Sequence, residues 1–110
     1  MYRCGMQILF YVEEDGSKPF ARWRRGLDLP ARLRVDRMLE RLAADNLASL
    51  KSVGGGVLEA RIDWGPGYRL YLGMEGERLL VLLGGGTKSR QSRDIDAAKH
   101  SWAAYRRRKG

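Results

Sequence analysis

The run Val57-Leu-Glu-Ala-Arg-Ile-Asp-Trp64 is followed by Gly65-Pro66-Gly67 and then by Tyr68-Arg-Leu-Tyr-Leu72. In the first run, Leu58, Ala60, Ile62 and Trp64 alternate with Glu59, Arg61 and Asp63. A period of two sends one set into a core and the other to the opposite face of a sheet. The return run repeats the pattern, with Tyr68, Leu70 and Leu72 against Arg69, Tyr71 and Gly73. The two apolar sets share a face only if an odd number of residues separates the strands. Gly65-Pro66-Gly67 therefore predicts a three-residue hairpin loop with a glycine at positive φ. The same register gathers Arg61, Arg69 and Tyr71 on the non-core face.

Downstream, Met74 to Glu77 reads as a turn, and Leu79 to Leu83 is apolar on both faces, as a central strand requires. Gly84-Gly85-Gly86 ends that run and is expected to be a flexible connection to a last helix. Ser89 or Ser92 is its expected cap, with Asp94 and Asp96 near the positive helix end. Ile95, Ala98, Trp102 and Tyr105 form its apolar stripe, and Arg106 to Lys109 form a cationic end. Upstream, Gly54-Gly55-Gly56 breaks the chain between a helical half and a strand-rich half. Met6 to Val12 predicts a strand. Ser17 is placed to cap a short helix with Pro19 in its first turn, Phe20, Trp23 and Leu27 on one face, and Gly26 at its end. A second helix is expected from Asp28–Pro30 to about Asp45, with Val35, Met38, Leu39 and Leu42 inward. Arg32, Arg34, Arg37, Glu40 and Arg41 lie off that stripe. The short link between the helices implies an antiparallel hairpin. The expected fold is α+β: strand, helical hairpin, three-stranded antiparallel meander and C-terminal helix.

At 110 residues the chain is expected to be one domain, residues 1–110, with residues 1–6 as a short extension and Met6 as an alternative start. No run approaches the roughly 20 apolar residues that span a bilayer, so no membrane association is expected. The Ile8 to Val12 run is too short for a secretory leader, and a cytoplasmic location is expected. A single cysteine, Cys4, and a single histidine, His100, offer neither an internal disulfide nor a metal-ligand set, so no metal or cofactor is expected. Lys and Arg total 21 against 13 Asp and Glu, a formal charge of +8, and the pI is near 10.1. Such a balance favours a polyanionic partner, or else a solvated basic surface.

Arg61, Arg69 and Tyr71 on one sheet face, with Lys88 after the central strand, Arg93 opening the last helix and Lys51 before the glycine break, predict a cationic groove with an aromatic in it. A phosphate backbone and a stacked base suit such a groove. The competing reading is ordinary strand polarity, with Glu59 and Asp63 neutralising the arginines. RNA cleavage by 2′-oxygen attack is open to these residue types. A lysine or tyrosine crowded by cations serves as base, and arginines stabilise the phosphorane.

Three stretches carry a resemblance: Val53-Gly-Gly-Gly-Val-Leu-Glu-Ala-Arg-Ile-Asp-Trp-Gly-Pro-Gly-Tyr-Arg-Leu-Tyr71, Leu82-Leu-Gly-Gly-Gly-Thr-Lys-Ser-Arg-Gln91, and Arg93-Asp-Ile-Asp-Ala-Ala-Lys99. Together they resemble RelE/ParE superfamily toxins, in the branch of addiction-module killer proteins grouped with HigB-like toxins. Phe20-x-x-Trp23 and Arg41-Leu42 through Asn46 also fit. The resemblance implies a helical hairpin packed on a small antiparallel sheet with a C-terminal helix. It implies the toxin of a type II toxin–antitoxin module, acting as a ribosome-dependent mRNA endoribonuclease that inhibits translation. The ParE-like alternative inhibits DNA gyrase, and a decayed toxin would persist as an antitoxin-binding corepressor. The implied partners are the ribosome, mRNA and a helix-turn-helix antitoxin, with operator DNA reached only through that antitoxin. By position the resemblance implies Arg61, Arg69, Lys88 and Tyr71 as the catalytic set, with Gln91, Arg93 and Lys51 on the RNA. The chain departs from the pattern in lacking a sheet histidine, and Thr87 stands where an acidic residue is expected.

Overall fold

The computed structural model describes residues 5–110. Cys4 and the first four positions of the expected extension lie outside the described residues. Met6 is not part of an extension. Its side chain is buried in the core, and its N–H donates to the Ala43 carbonyl at 2.9 Å.

The chain folds into an α+β unit: β1 (Gln7–Phe10), α1 (Pro19–Arg25), α2 (Leu29–Ala43), β2 (Lys51–Gly54), β3 (Val57–Ile62), β4 (Tyr68–Glu75), β5 (Leu79–Thr87) and α3 (Gln91–Lys109). A single 3-10 turn, Lys88–Arg90, precedes α3. The five strands make one mixed sheet in the order β1-β5-β4-β3-β2. The expected meander is present as antiparallel β3-β4-β5, and β1 runs parallel to β5 at its outer side. Central β5 buries Leu80, Val81, Leu82 and Leu83, which explains why that run is apolar on both faces.

Alternation sorts the two faces as expected. Ala60, Leu70, Leu72, Leu80 and Leu82 pack with Phe20, Val35, Met38 and Leu42 of α1 and α2. The opposite face is not a solvated polar one. Val57, Tyr71, Val81 and Leu83 pack there against Ala98 and Trp102 of α3. The sheet is therefore the middle of three layers. The fork of Arg24 on Asp36, with both contacts at 2.7 Å, ties α1 to α2.

Several local expectations are corrected. The β3–β4 loop holds five residues, Asp63 to Gly67, not three. It is still odd, and Arg61 opposes Arg69 as required. Gly54-Gly55-Gly56 is not a break between halves but the tight turn from β2 to β3, with all three glycines at positive φ. Strand β4 runs through Met74 to Glu75, inside the segment expected to turn. Gly84-Gly85-Gly86 is strand, not flexible connection. Ser17 does not cap α1; Lys18 holds that position, and the Ser17 hydroxyl donates to Glu13 at 2.7 Å. Neither Ser89 nor Ser92 caps α3, which starts from the 3-10 turn with Arg90 at the cap position. The cap of α2, not singled out by the sequence, is Asp28, which accepts from the Ala31 N–H at 3.1 Å.

Two tryptophans fasten the outer layers to the sheet. A Cβ on Gly85 would lie 2.3 Å from the Trp23 ring of α1, and one on Gly73 would lie 2.5 Å from the Trp102 ring of α3. Each ring rests on bare backbone, so even a methyl group must displace it. Gly85→Ala is expected to destabilise the fold by roughly 1–3 kcal/mol through overpacking. Urea unfolding followed by tryptophan fluorescence checks this, and a midpoint equal to that of the wild type would contradict the seat.

Candidate nucleic-acid interface

The α3-facing side of β3 and β4 carries a polar cluster around one carboxylate. Glu59 is 1% exposed. Its Oε1 accepts from Arg61 Nε at 2.9 Å, and its Oε2 accepts from Gln91 Nε2 at 2.6 Å. Arg69 Nε approaches Oε2 at 3.9 Å, an ion pair too long for a hydrogen bond. Register explains the grouping: Glu59 opposes Tyr71 on β4 and Lys51 on β2, and Arg61 opposes Arg69. Gln91 reaches in from the first residue of α3.

Burial alone would raise the Glu59 pKa, but the hydrogen bonds from Arg61 and Gln91, with the charges of Arg61 and Arg69, outweigh it and hold the carboxyl below its ordinary range. Glu59 is therefore an anion at neutral pH. Beside it, the Tyr71 hydroxyl is buried without a hydrogen-bond partner among the described residues. Burial first, then the negative charges of Glu59 and Asp94, push its pKa well above the ordinary tyrosine value. Asp94 of α3 turns inward over the sheet, where a Cβ on Gly86 would meet its carboxylate. Burial raises the Asp94 pKa against the lowering charges of Arg90 and Arg93.

The structure thus brings Arg61, Arg69, Tyr71 and Gln91 together and sets Lys51 on the same sheet face. Lys88 closes one end: its N–H donates to the Gly67 carbonyl at 2.8 Å. A Cβ on Gly67 would stand 3.4 Å from Lys88 Cβ and 3.7 Å from Arg69 Nη1. Arg93 is exposed on the first turn of α3 and makes no bond to the cluster. The reading of Tyr71 as a ring for base stacking is corrected, because the side chain is fully buried. Arg69 is also beneath the surface, its side chain 5% exposed, whereas that of Arg61 is 44% exposed. The groove is therefore layered. Arg61, Lys51, Lys88 and Arg93 face solvent, and Glu59, Arg69 and Tyr71 lie under them.

The two competing readings of the polar face prove compatible. Glu59 does neutralise arginine charge, but from below. Its role as the centre of the cluster was missed because alternation alone does not say that both sheet faces are covered. Asp94 was missed because a carboxylate in a first helical turn already has a reason to be there. Among the described residues no group of three or more His, Cys, Asp and Glu side chains is placed to hold a metal. No helix among them is long and apolar enough to cross a membrane.

Fold and site together define a small basic α+β domain whose sheet carries cations over a buried carboxylate. An uncharacterized protein of Haemophilus influenzae (strain ATCC 51907 / DSM 11121 / KW20 / Rd) is 43% identical over 72 residues, which make up 66% of this chain and 73% of that protein. The chain belongs to the same family as that protein. No protein-family model matches it.

The cluster has a pH signature. A carboxylate with a lowered folded pKa contributes stability in full above its unfolded value, near 4.5 for glutamate, and loses it as pH falls through the folded value. Glu59→Gln is expected to give a shallower loss of Tm between pH 5 and pH 3. Asp94, shifted the other way, works against that loss in both proteins. Glu59→Ala leaves the buried Arg69 uncompensated and is expected to cost on the order of 3 kcal/mol at pH 7. Thermal unfolding across this range checks both; identical acid slopes in wild type and Glu59→Gln would contradict the charge state assigned to Glu59.

Proposed function

We propose that the chain is the toxin of a type II toxin–antitoxin module, of the RelE/ParE kind and its HigB-like branch, and that it cleaves mRNA on the ribosome and so inhibits translation. The layered charge of the sheet face carries the reading. Arg61, Lys51, Lys88 and Arg93 are accessible cations, and the carboxylate at the centre of the cluster, Glu59, is buried and held by three partners. The helical pair on one face of the sheet and the long C-terminal helix on the other support the same reading.

In 2′-oxygen attack, the ribose hydroxyl loses its proton and its oxygen bonds to phosphorus. The 5′-oxygen leaves and takes up a proton, which yields a cyclic 2′,3′-phosphate and a free 5′-hydroxyl. Arg61, held by Glu59 through Nε, retains its Nη groups as donors for phosphate oxygens. Arg69 adds fixed positive charge from beneath. Lys88 is the accessible candidate for proton transfer, since the Tyr71 hydroxyl is buried and held protonated. No metal or cofactor enters this scheme. The ribosome supplies substrate alignment, a contribution that proximity makes large. The antitoxin, a helix-turn-helix protein in this reading, brings acidic segments to Arg61, Lys88 and Lys51 and couples the complex to operator DNA. The site of action is the cytoplasm.

The burial of Tyr71 favours one second reading. With the Tyr71 hydroxyl withdrawn from the surface, the face also suits a non-enzymatic binder, whether a ParE-like gyrase inhibitor or a corepressor held by its antitoxin.

Antitoxin-free protein added to programmed ribosomes is expected to produce new mRNA ends by primer extension, and none on naked mRNA. Arg61→Ala and Lys88→Ala are expected to lower the cleavage rate at least 100-fold while antitoxin binding persists. Absence of ends with folded protein, together with inhibited supercoiling, would replace the ribonuclease reading by the gyrase one.

A further inference from the structure

The outward face of α2 repeats arginine at Arg34, Arg37 and Arg41, a spacing of three and then four that keeps all three on one side of the helix. They line a groove of about 210 Å³ between α2 and the end of β3, together with Arg61, Asp63 and Trp64. Four arginines and one aspartate thus line it. Among the described residues, no carboxylate forms an ion pair with Arg34, Arg37 or Arg41.

The groove is built rather than merely charged. The Arg34 guanidinium carbon sits 4.2 Å from the centre of the Trp64 ring, and that ring stacks on Tyr68 at 6.2 Å with planes 27° apart. The stack restricts a side chain that would otherwise sample many rotamers, so less freedom is lost when an anion binds. The groove is also continuous with the sheet site. Strand β2 pairs with β3 only from Val57 to Glu59, which leaves the edge at Ala60 to Ile62 without a neighbouring strand. Arg61 emerges there, bonded to Glu59 on one side and lining the arginine groove on the other.

We propose that the α2–β3 groove is a phosphodiester-binding track, which carries a single RNA strand past Arg61 and along Arg34, Arg37 and Arg41. The choice of RNA rests on the function proposed above; the anion chemistry does not. A line of arginine forks suits a regularly repeating anion whose oxygens accept paired donors. Arg34 is the pre-ordered contact, and Trp64 is its positioning residue. Its ring contacts both Arg34 and Tyr68 and so orders the guanidinium.

The test is fluorescence anisotropy with a labelled, unstructured 2′-O-methyl RNA 15-mer, which binds without being cleaved, over a series of salt concentrations. For single strands, each phosphate contact contributes about 0.7 to the slope of log K against log salt. Arg37→Ala/Arg41→Ala is expected to reduce that slope by about 1.4. The control Lys18→Ala/Arg25→Ala, which removes the same charge from α1, is expected to keep the wild-type slope. Trp64→Leu, with folding verified by circular dichroism, is expected to weaken binding several-fold at unchanged charge. Equal slopes for the groove variant and the wild type would overturn the proposal. So would a loss of affinity confined to a poly-glutamate peptide, which would make the groove a protein contact. Cleavage in the ribosome assay is read separately. A reduced slope with no mRNA ends from the wild type keeps the track and removes the ribonuclease, whereas mRNA ends with an unchanged slope do the reverse.

Discussion

A carboxylate taken out of water costs several kcal/mol unless partners replace its hydration. Glu59 meets that demand with Arg61 from its own strand, Arg69 from the next strand and Gln91 from α3. Three segments far apart in sequence are thereby fixed to one pair of oxygens. A shift of β4 by one residue would turn Arg69 to the opposite face and leave Glu59 short of a cation. A shift along α3 would withdraw Gln91. The carboxylate thus specifies register and helix position, and it also determines which cations remain for a ligand. Arg61 is held at Nε and free at its fork, and Arg69 is retained inside.

Around that centre the layers meet with little room. The helices on both faces close onto the sheet through a tryptophan lying on a glycine, Trp23 on Gly85 and Trp102 on Gly73. Glycine normally weakens a strand, because it gives up more backbone freedom and offers no side chain to pack. Here the missing side chain is the packing feature. The close seat of α3 also brings Asp94 against Gly86 and Gln91 within reach of Glu59. The geometry of the polar cluster therefore depends on an apolar contact about two helical turns from Asp94 and about three from Gln91.

This dependence explains what the sequence disclosed and what it withheld. The alternation of Leu58, Ala60 and Ile62 with Glu59 and Arg61 is a local property, and the face assignments and the Arg61–Arg69 pairing follow from it. The α2 stripe and its start near Asp28 are local as well. Strand β2 was hidden because Lys51-Ser-Val-Gly54 is too short to show alternation and is followed by three glycines. Gly84-Gly85-Gly86 looked like a connection because its reason for being strand lies in Trp23 and Asp94, neither of which is a neighbour in sequence. The burial of Glu59 depends on α3 covering the second face, a fact that no period in β3 contains. The arginines of α2 were legible as an outward face, yet their meeting with Arg61 and Trp64 required the end of β3 to be placed beside them.

The arrangement also changes what the net charge means. The formal +8 counts every carboxylate as though it faced solvent. Glu59 is 1% exposed, Asp94 folds over Gly86, and Asp36 is spent on the Arg24 fork. On the β3 side Glu59 is drawn inward while Arg34, Arg37, Arg41, Lys51 and Lys88 remain outside. An approaching polyanion is therefore attracted to the β3 side of the molecule more strongly than a uniform sphere of the same charge would attract it. Arg61 sits where the sheet site and the α2 groove join, so its removal would affect both. The two surfaces are separable only through residues on either side of it: Lys88 for the sheet, and Arg37 with Arg41 for the helix.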